Sequence, residues 1–345
     1  MQYRYLSRTG VKVSPICLGT DSFMDPTPEK ECAVMLETAV EAGINLINTG
    51  DTYAMGEAEK VIGRTLKESK MRNSVLLMTK CDHAPRKVGM TLEEYVPKLG
   101  PNQNGPSRLN IIKACEGSLR RLQTDYIDIY LIHRQDMAVH IDETLSALTD
   151  LIGQGKIRYI GCSTHPAWAV MEAILHAEFK GYARFVAEES PYNLLDRRIE
   201  NELIPMALRH DVGIFSWAPL AMGVLAGVYE KEDEYPDTSK AALRGGFYAD
   251  RVTAKGIKAG KEFAQLAREF SLTPSQLAVL WCKDQPGITA PLLGPRTLEH
   301  LKDLIPVAEM TLDDSLREAC DKIVPPGSFV ANFHNTAGWM KVETS

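Results

Sequence analysis

Three side chains suited to proton transfer stand at the ends of three separate apolar runs in the first 133 residues. Tyr53 follows the first run, Lys80 closes the second and His133 closes the third. Parallel strands place their carboxyl ends on one face of a sheet, so the three groups are expected to converge. A phenol, an amine and an imidazole held together indicate general acid chemistry.

Strand and helix signals alternate along the whole chain. Helical spacing of apolar residues, as in residues 110–123 and 141–155, separates short β-branched runs. Eight strands are predicted, at residues 14–20, 45–51, 74–81, 126–133, 158–164, 185–189, 213–217 and 288–294. This pattern predicts an α/β fold, a (β/α)8 TIM barrel in one domain spanning residues 1–345. The alternative, an open doubly wound sheet, lacks a glycine-rich dinucleotide turn after its first strand.

Other segments fall outside the eight units. Residues 1–13 read as an N-terminal hairpin that plugs the barrel, and residues 325–345 as a C-terminal tail near the pocket. Residues 255–270 predict one extra helix, and a last helix is predicted to start at Thr311 with Asp314 completing a capping box. Thr273, Pro274 and Gln276 mark the start of another helix.

Two long insertions follow predicted strands. Residues 82–109 follow the third strand and residues 221–251 the seventh, so both are expected to rise from the carboxyl-terminal face of the barrel. Loops of this length are often functional, which predicts a lid or a substrate wall.

Composition excludes several classes of protein. The hydrophobic fraction of 44% and the charged fraction of 24% are ordinary for a globular chain. A net charge of −6 gives no general reason to bind nucleic acid. No apolar run is long enough to span a membrane, and seven scattered cysteines indicate reduced thiols, so a cytoplasmic protein without a metal site is expected. The choice between monomer and homo-oligomer stays open.

The motifs at successive strand ends resemble those of the aldo-keto reductases in their order along the chain. The resemblance extends from end to end and rests on several motifs together. They are residues 8–20, residues 49–53 with Gly56 and Glu59, residues 128–133 and residues 155–163.

The resemblance implies NADPH-dependent reduction of a carbonyl substrate by hydride transfer. Tyr53 would be the proton donor, while Lys80 and His133 would polarise the phenol and the carbonyl oxygen. An ammonium favours the phenolate, so Lys80 is expected to ease proton release from Tyr53. His133 would stabilise the developing alkoxide by a hydrogen bond.

One catalytic position departs from the family pattern. Asn48 stands where the family has an aspartate that pairs with the lysine. An amide accepts a hydrogen bond from Lys80 but supplies no charge, which predicts a weaker hold of Lys80 on its proton and an altered pH profile. A second interpretation is that Asn48 disables the enzyme.

The resemblance also implies a set of cofactor contacts, some of them altered. Thr164 replaces an asparagine, Glu189 replaces a glutamine, and Trp217 takes the place of the aromatic residue that stacks on nicotinamide. Arg296 is expected to bind the adenosine 2′-phosphate and so to favour NADPH over NADH. The cofactor residues are Gly19, Thr20, Ser163, Thr164, Glu189, Trp217, Ala218, Leu220, Gly223, Gly294, Arg296, His300 and Asp303.

The predicted substrate wall consists mainly of aromatic side chains. Its members are Phe23, His83, Phe329, Phe333 and Trp339. An aromatic wall is compatible with a bulky ligand. The tail aromatics could equally serve to fix the tail to the barrel.

Three functions remain open. The first is an NADPH-dependent carbonyl reductase, and the second is a reductase or dehydratase of keto sugars. The third is non-enzymatic, because relatives of this family serve as NADPH-binding β subunits of potassium channels.

Overall fold

Eight parallel strands close into a barrel in the computed structural model, which describes residues 1–81, 100 and 102–334. A separate antiparallel hairpin precedes them, formed by β1 (Arg4–Tyr5) and β2 (Lys12–Val13). The barrel strands are β3 (Cys17–Gly19), β4 (Leu46–Asn48), β5 (Leu76–Cys81), β6 (Ile127–Ile132), β7 (Ile157–Ser163), β8 (Phe185–Pro191), β9 (Gly213–Trp217) and β10 (Ile288–Leu293). Each strand pairs with its neighbour in sequence, and β10 pairs with both β9 and β3. The predicted barrel is confirmed.

Helices follow the barrel strands in turn. The eight that follow β3 to β10 are Glu29–Glu41, Glu57–Glu68, Arg108–Leu122, Ile141–Gly153, Ala167–Lys180, Leu203–Arg209, Pro274–Lys283 and Leu298–Leu304. Two further helices, Ala254–Glu269 and Asp314–Ile323, are the predicted extra ones. None of the helices in the described ranges has the length and hydropathy needed to cross a lipid bilayer.

The hairpin closes the amino-terminal end of the barrel, as predicted. Leu6 and Val13 are fully buried in the same cluster as the inward-facing Leu46, Ile129 and Phe215. Side chains therefore fill the barrel interior, leaving the carboxyl-terminal face for chemistry.

Capping residues set the helix ends, and one predicted start is wrong. Thr273 and Gln276 form the expected capping box. The last helix starts at Asp314 instead of Thr311, because Asp313 is the cap and accepts a hydrogen bond from the backbone of Ser315 at 2.8 Å. Leu312, just before this cap, donates its backbone N–H to Asp284 at 2.8 Å.

The insertion after β9 contains short helical segments within the predicted loop. They are Ala221–Gly223, Lys240–Arg244 and Gly246–Tyr248. Most of the insertion after β5, residues 82–99 and 101, lies outside the described residues. The latter insertion ends where Ser107 caps the helix Arg108–Leu122.

We expect Gly63→Ala to destabilise the protein, although alanine normally favours a helix over glycine by about 1 kcal/mol. A Cβ at Gly63 would lie 2.4 Å from the backbone carbon of Leu122 in the neighbouring helix. Overpacking of this kind costs about 1–3 kcal/mol. Urea unfolding measures the loss. Gly153→Ala is the control, because nothing lies within 4 Å of its Cβ position, and equal stability of the two variants would contradict the prediction.

Candidate active site

The carboxyl ends of four barrel strands bring four polar side chains to the same end of the barrel. Asn48 ends β4, Lys80 lies in β5 and Glu189 lies in β8. His133 follows β6 directly, and its backbone N–H donates to the carbonyl of Cys81 at 2.9 Å. The four strands thus converge on the carboxyl-terminal face, where barrel enzymes place catalytic groups.

Tyr53 lies on the turn after β4 and faces Lys80 and His133. It begins the short 3-10 helix Tyr53–Gly56, and its N–H donates to Gly50 at 3.1 Å. The Lys80 ammonium lies 5.0 Å from the centre of the Tyr53 ring. The Tyr53 and His133 ring centres are 6.4 Å apart, with the rings inclined at 75°. The predicted convergence of phenol, ammonium and imidazole is present.

Lys80 is fully buried and belongs to a hydrogen-bonded triangle. Its Nζ donates to Asn48 Oδ1 at 2.8 Å and to Glu189 Oε2 at 3.0 Å. Asn48 Nδ2 donates to the same oxygen of Glu189 at 2.6 Å. The neutral Asn48 predicts a Lys80 without a compensating charge, but the carboxylate of Glu189 supplies that charge.

The lowering of the Tyr53 pKa expected from Lys80 is outweighed in this environment. Burial, followed by the negative charge of Glu189, raises the pKa of Tyr53 well above its usual value. The ammonium of Lys80 is neutralised by Glu189, so it does not outweigh these two effects. Tyr53 is therefore a protonated phenol at neutral pH.

A cavity of about 400 Å³ opens beside this cluster. Tyr53, His133 and Asn48 line it, whereas Lys80 lies behind the wall. All the residues that the sequence assigned to a cofactor also line it, and they are Gly19, Thr20, Ser163, Thr164, Glu189, Trp217, Ala218, Leu220, Gly223, Gly294, Arg296, His300 and Asp303.

The backbone around the cavity adopts uncommon conformations. Thr164, Ala218, Ala221 and Met222 have φ values of 58°, 56°, 49° and 58°. Residues other than glycine rarely adopt this left-handed region, and where they do they cluster at functional sites. Thr164 Oγ1 also accepts a hydrogen bond from Trp217 Nε1 at 3.4 Å. A hydrogen bond thus links the carboxyl ends of β7 and β9 at the cavity wall.

Ion pairs that were not predicted from the sequence join two loops at the cavity. Lys240 bonds to the carboxylate of Asp21, and Arg244 Nη2 donates to the carbonyls of Asp21 and Asp25 at 3.2 Å each. Although burial opposes the charge, Lys240 and Arg244 hold the pKa of Asp21 well below its usual range. The sequence feature that could have predicted these ion pairs is the presence of opposite charges in two loops that follow barrel strands on the same face.

The predicted substrate wall is placed differently. Phe23 is fully buried in the core, and Phe333 is fully buried at 5.4 Å from the guanidinium of Arg251. Phe329 is 51% exposed and lies 4.2 Å from the guanidinium of Arg198. None of the three lines the cavity, because Phe23 and Phe333 are packed in the core and Phe329 lies on the surface against Arg198. His83 and Trp339 lie outside the described residues.

Other aromatic residues line the cavity instead. They are Tyr53, Trp217, Phe247 and Tyr248. The guanidinium of Arg251 lies 5.0 Å from the Trp217 ring and 4.9 Å from the Phe247 ring, and burial lowers the pKa of Arg251 to about 10. Apart from Tyr53, which comes from the turn after β4, the aromatic wall is therefore supplied by β9 and the insertion that follows it.

On the opposite face of β7 and β8, Cys162, His165 and Glu188 bring ligand-type atoms within 4.8 Å of one another. Burial lowers the pKa of His165 to about 4 and raises that of Glu188 to about 8. The carboxyl of Glu188 is therefore mainly protonated and neutral at pH 7. Its Oε1 accepts a hydrogen bond from the backbone N–H of His165 at 3.1 Å.

The sequence model of the Aldo/keto reductase family matches residues 15–325. The chain belongs to the aldo/keto reductase family. The match begins just before the first barrel strand and ends after the last helix, so it includes all the strands that carry the site. As an aldo/keto reductase, the protein is an oxidoreductase of the (β/α)8 type.

Curated relatives in the aldo/keto reductase family match nearly the whole chain. "Uncharacterized oxidoreductase YrpG" of Bacillus subtilis (strain 168) is 34% identical over 334 residues, which cover 95% of this chain and 97% of the relative. "Aldo-keto reductase AMT2" of Alternaria alternata is 32% identical over 332 residues, covering 90% and 88%. "Probable voltage-gated potassium channel subunit beta" of Arabidopsis thaliana is 30% identical over 335 residues, covering 92% and 96%.

Proposed function

We propose that this aldo/keto reductase reduces an aldehyde or ketone to an alcohol with NADPH as the hydride donor. The observation that carries the proposal is the meeting of Tyr53, Lys80 and His133 beside a cavity whose wall includes Trp217. A substrate carbonyl that reaches Tyr53 from this cavity would lie next to both a proton donor and an imidazole. Small carbonyl compounds are the substrate class that this arrangement suits.

Tyr53 supplies the proton in the proposed reaction. Its raised pKa keeps the phenol protonated at neutral pH, so the acid form is present when substrate arrives. An alkoxide is a stronger base than a phenolate, so the proton moves from Tyr53 to the reduced oxygen. His133 donates a hydrogen bond to the same oxygen and stabilises the charge that develops there.

The residues present fit a nicotinamide cofactor. Trp217 offers a ring face of the kind on which nicotinamide stacks, and the hydroxyl groups of Ser163 and Thr164 lie beside it. When bound, NADPH supplies the hydride. Arg296, which also lines the cavity, offers a positive charge for the 2′-phosphate.

We expect Arg296→Ala to weaken NADPH binding by about 10- to 100-fold, because a charge-assisted hydrogen bond contributes about 1.5–3 kcal/mol. NADH lacks the 2′-phosphate, so its affinity should stay unchanged. Fluorescence titration with both cofactors measures the difference. Lys302→Ala removes a similar charge from the helix Leu298–Leu304 outside the cavity and is the control. Equal loss of NADH and NADPH affinity in Arg296→Ala would contradict the proposed contact.

The proposed activity is tested by NADPH consumption with the purified protein. A panel of aldehydes, ketones and keto sugars covers the carbonyl classes and includes the sugar-modifying alternative. Turnover of at least one class, with the alcohol identified as product, supports the proposal. A protein that binds NADPH but turns over none of the panel would overturn it.

A regulatory subunit is the second candidate, favoured by the match to a probable potassium channel β subunit over 92% of this chain. Such a protein would hold the cofactor tightly and turn it over slowly. Cofactor that stays bound through purification, in a stable tetramer without turnover, is the result that would favour this candidate.

A further inference from the structure

We propose that Glu189 is the counter-ion of Lys80 and that Asn48 is a neutral bridge between them, so that β8 and not β4 carries the negative charge of the site. The kinetic part of this inference rests on the proposed function, whereas its stability part does not. Glu189 acts here as a positioning residue for Lys80, and through Lys80 for Tyr53.

Burial makes the counter-ion necessary. The side chain of Lys80 is 0% exposed and that of Glu189 is 4% exposed. A buried ammonium without a partner is costly, and breaking a buried pair leaves an uncompensated charge. Within the described part of the chain, Glu189 is the one carboxylate within 4.0 Å of Lys80 Nζ. The pair is therefore built into the core of the site.

Asn48 has the one side-chain chemistry that suits its place. Its Oδ1 accepts from the ammonium at 2.8 Å while its Nδ2 donates to the carboxylate at 2.6 Å. An amide carries both a donor and an acceptor, whereas an ionised aspartate accepts only. Aspartate at position 48 would bring a second carboxylate into hydrogen-bond distance of the first.

The two positions are consequently coupled. An asparagine with a glutamate gives one negative charge beside Lys80, and an aspartate with a glutamine would give the same. Aspartate with glutamate gives two like charges, and asparagine with glutamine gives none. The two departures from the family pattern, at Asn48 and at Glu189, therefore compensate each other.

The negative charge of the Glu189 carboxylate also acts electrostatically on the Tyr53 phenol. After burial, it is the largest contribution to the raised pKa of Tyr53. Lys80 contacts both groups, since its Nζ is 3.0 Å from Glu189 and 5.0 Å from the Tyr53 ring centre. Loss of the counter-ion should therefore alter catalysis more than cofactor binding.

The test is an exchange of the two side chains. Asn48→Asp, Glu189→Gln and the double variant are compared with the wild-type chain by urea unfolding, NADPH affinity and kcat. Each single variant should unfold at lower urea and lose about tenfold or more in kcat, as expected for strongly coupled neighbours. The double variant should recover most of both losses.

Glu188→Gln is the matched control. Glu188 is the neighbouring buried glutamate, but it faces His165, and its raised pKa of about 8 makes glutamine a close neutral substitute at pH 7. The control should behave like the wild type, and Glu188→Gln should not rescue Asn48→Asp.

Additive effects in the double variant would overturn the inference, and so would an Asn48→Asp chain that is more stable than the wild type. If the single variants do not fold, recovery of folded protein in the double variant still supports the coupling, and its failure to fold contradicts it. If the wild-type chain reduces no carbonyl, the proposed function fails while the unfolding data still decide the role of Glu189.

Discussion

Tyr53→Phe is expected to lower kcat for carbonyl reduction by about 10² to 10⁴, the usual contribution of a positioned proton donor. Phenylalanine keeps the ring that packs near Lys80 and His133 and removes only the hydroxyl. Cofactor affinity should therefore change little. The measurement is steady-state NADPH oxidation together with a cofactor titration.

Tyr248→Phe is the control for this experiment. Tyr248 is a second phenol on the cavity wall, supplied by the insertion after β9 instead of the turn after β4. Its variant should keep most of the turnover. If Tyr53→Phe retains wild-type kcat, another group donates the proton and the proposed role of Tyr53 is wrong.

Lys80→Met is expected to destabilise the fold by about 3–5 kcal/mol and to abolish turnover, because removing one member of a buried pair leaves the other charge unpaired. Glu189 would keep its carboxylate in the core without an ammonium, and Asn48 would lose its donor. Urea unfolding and kcat are measured on the same preparation.

A second variant separates stability from chemistry. Lys80→Met combined with Glu189→Gln removes both charges, so stability should largely return while turnover stays lost. Lys283→Met is the control for burial, since Lys283 is only 4% exposed and pairs with Asp284 at 2.7 Å outside the cavity. It should lower stability and leave kcat near wild type. Turnover in the Lys80→Met chain would contradict a catalytic contribution from the ammonium.

Local sequence patterns determined most of the secondary structure of this protein. Apolar runs and helical spacing were enough for the eight strands, the hairpin and the extra helices, because each element buries a face that its own periodicity defines. The ends of those strands also located Tyr53, Lys80 and His133, since parallel strands in a barrel deliver their carboxyl ends to one face. Strand limits differed by a few residues, as for residues 45–51 and the observed Leu46–Asn48, where the chain leaves the ladder to form the turn that carries Tyr53.

The packing of side chains on the outside of the barrel could not be predicted from local sequence patterns. Phe23 and Phe333 have the composition of a ligand wall, yet the structure uses both as core. Whether an aromatic ring faces a cavity or a neighbouring helix depends on how loops pack, which no local pattern encodes. The ion pairs of Asp21 with Lys240 and Arg244 join loops more than 200 residues apart in sequence.

Glu189 shows most clearly what only the tertiary structure decided. The sequence marked Asn48 as a lost charge and Glu189 as an altered cofactor contact, and it gave no reason to connect them. Their strands, β4 and β8, lie opposite each other in the ring of eight, so only closure of the barrel brings together side chains 141 residues apart. The residue types determine which groups can form hydrogen bonds and ion pairs. The geometry of the closed barrel determines that the carboxylate of Glu189 in β8 meets the ammonium of Lys80 in β5.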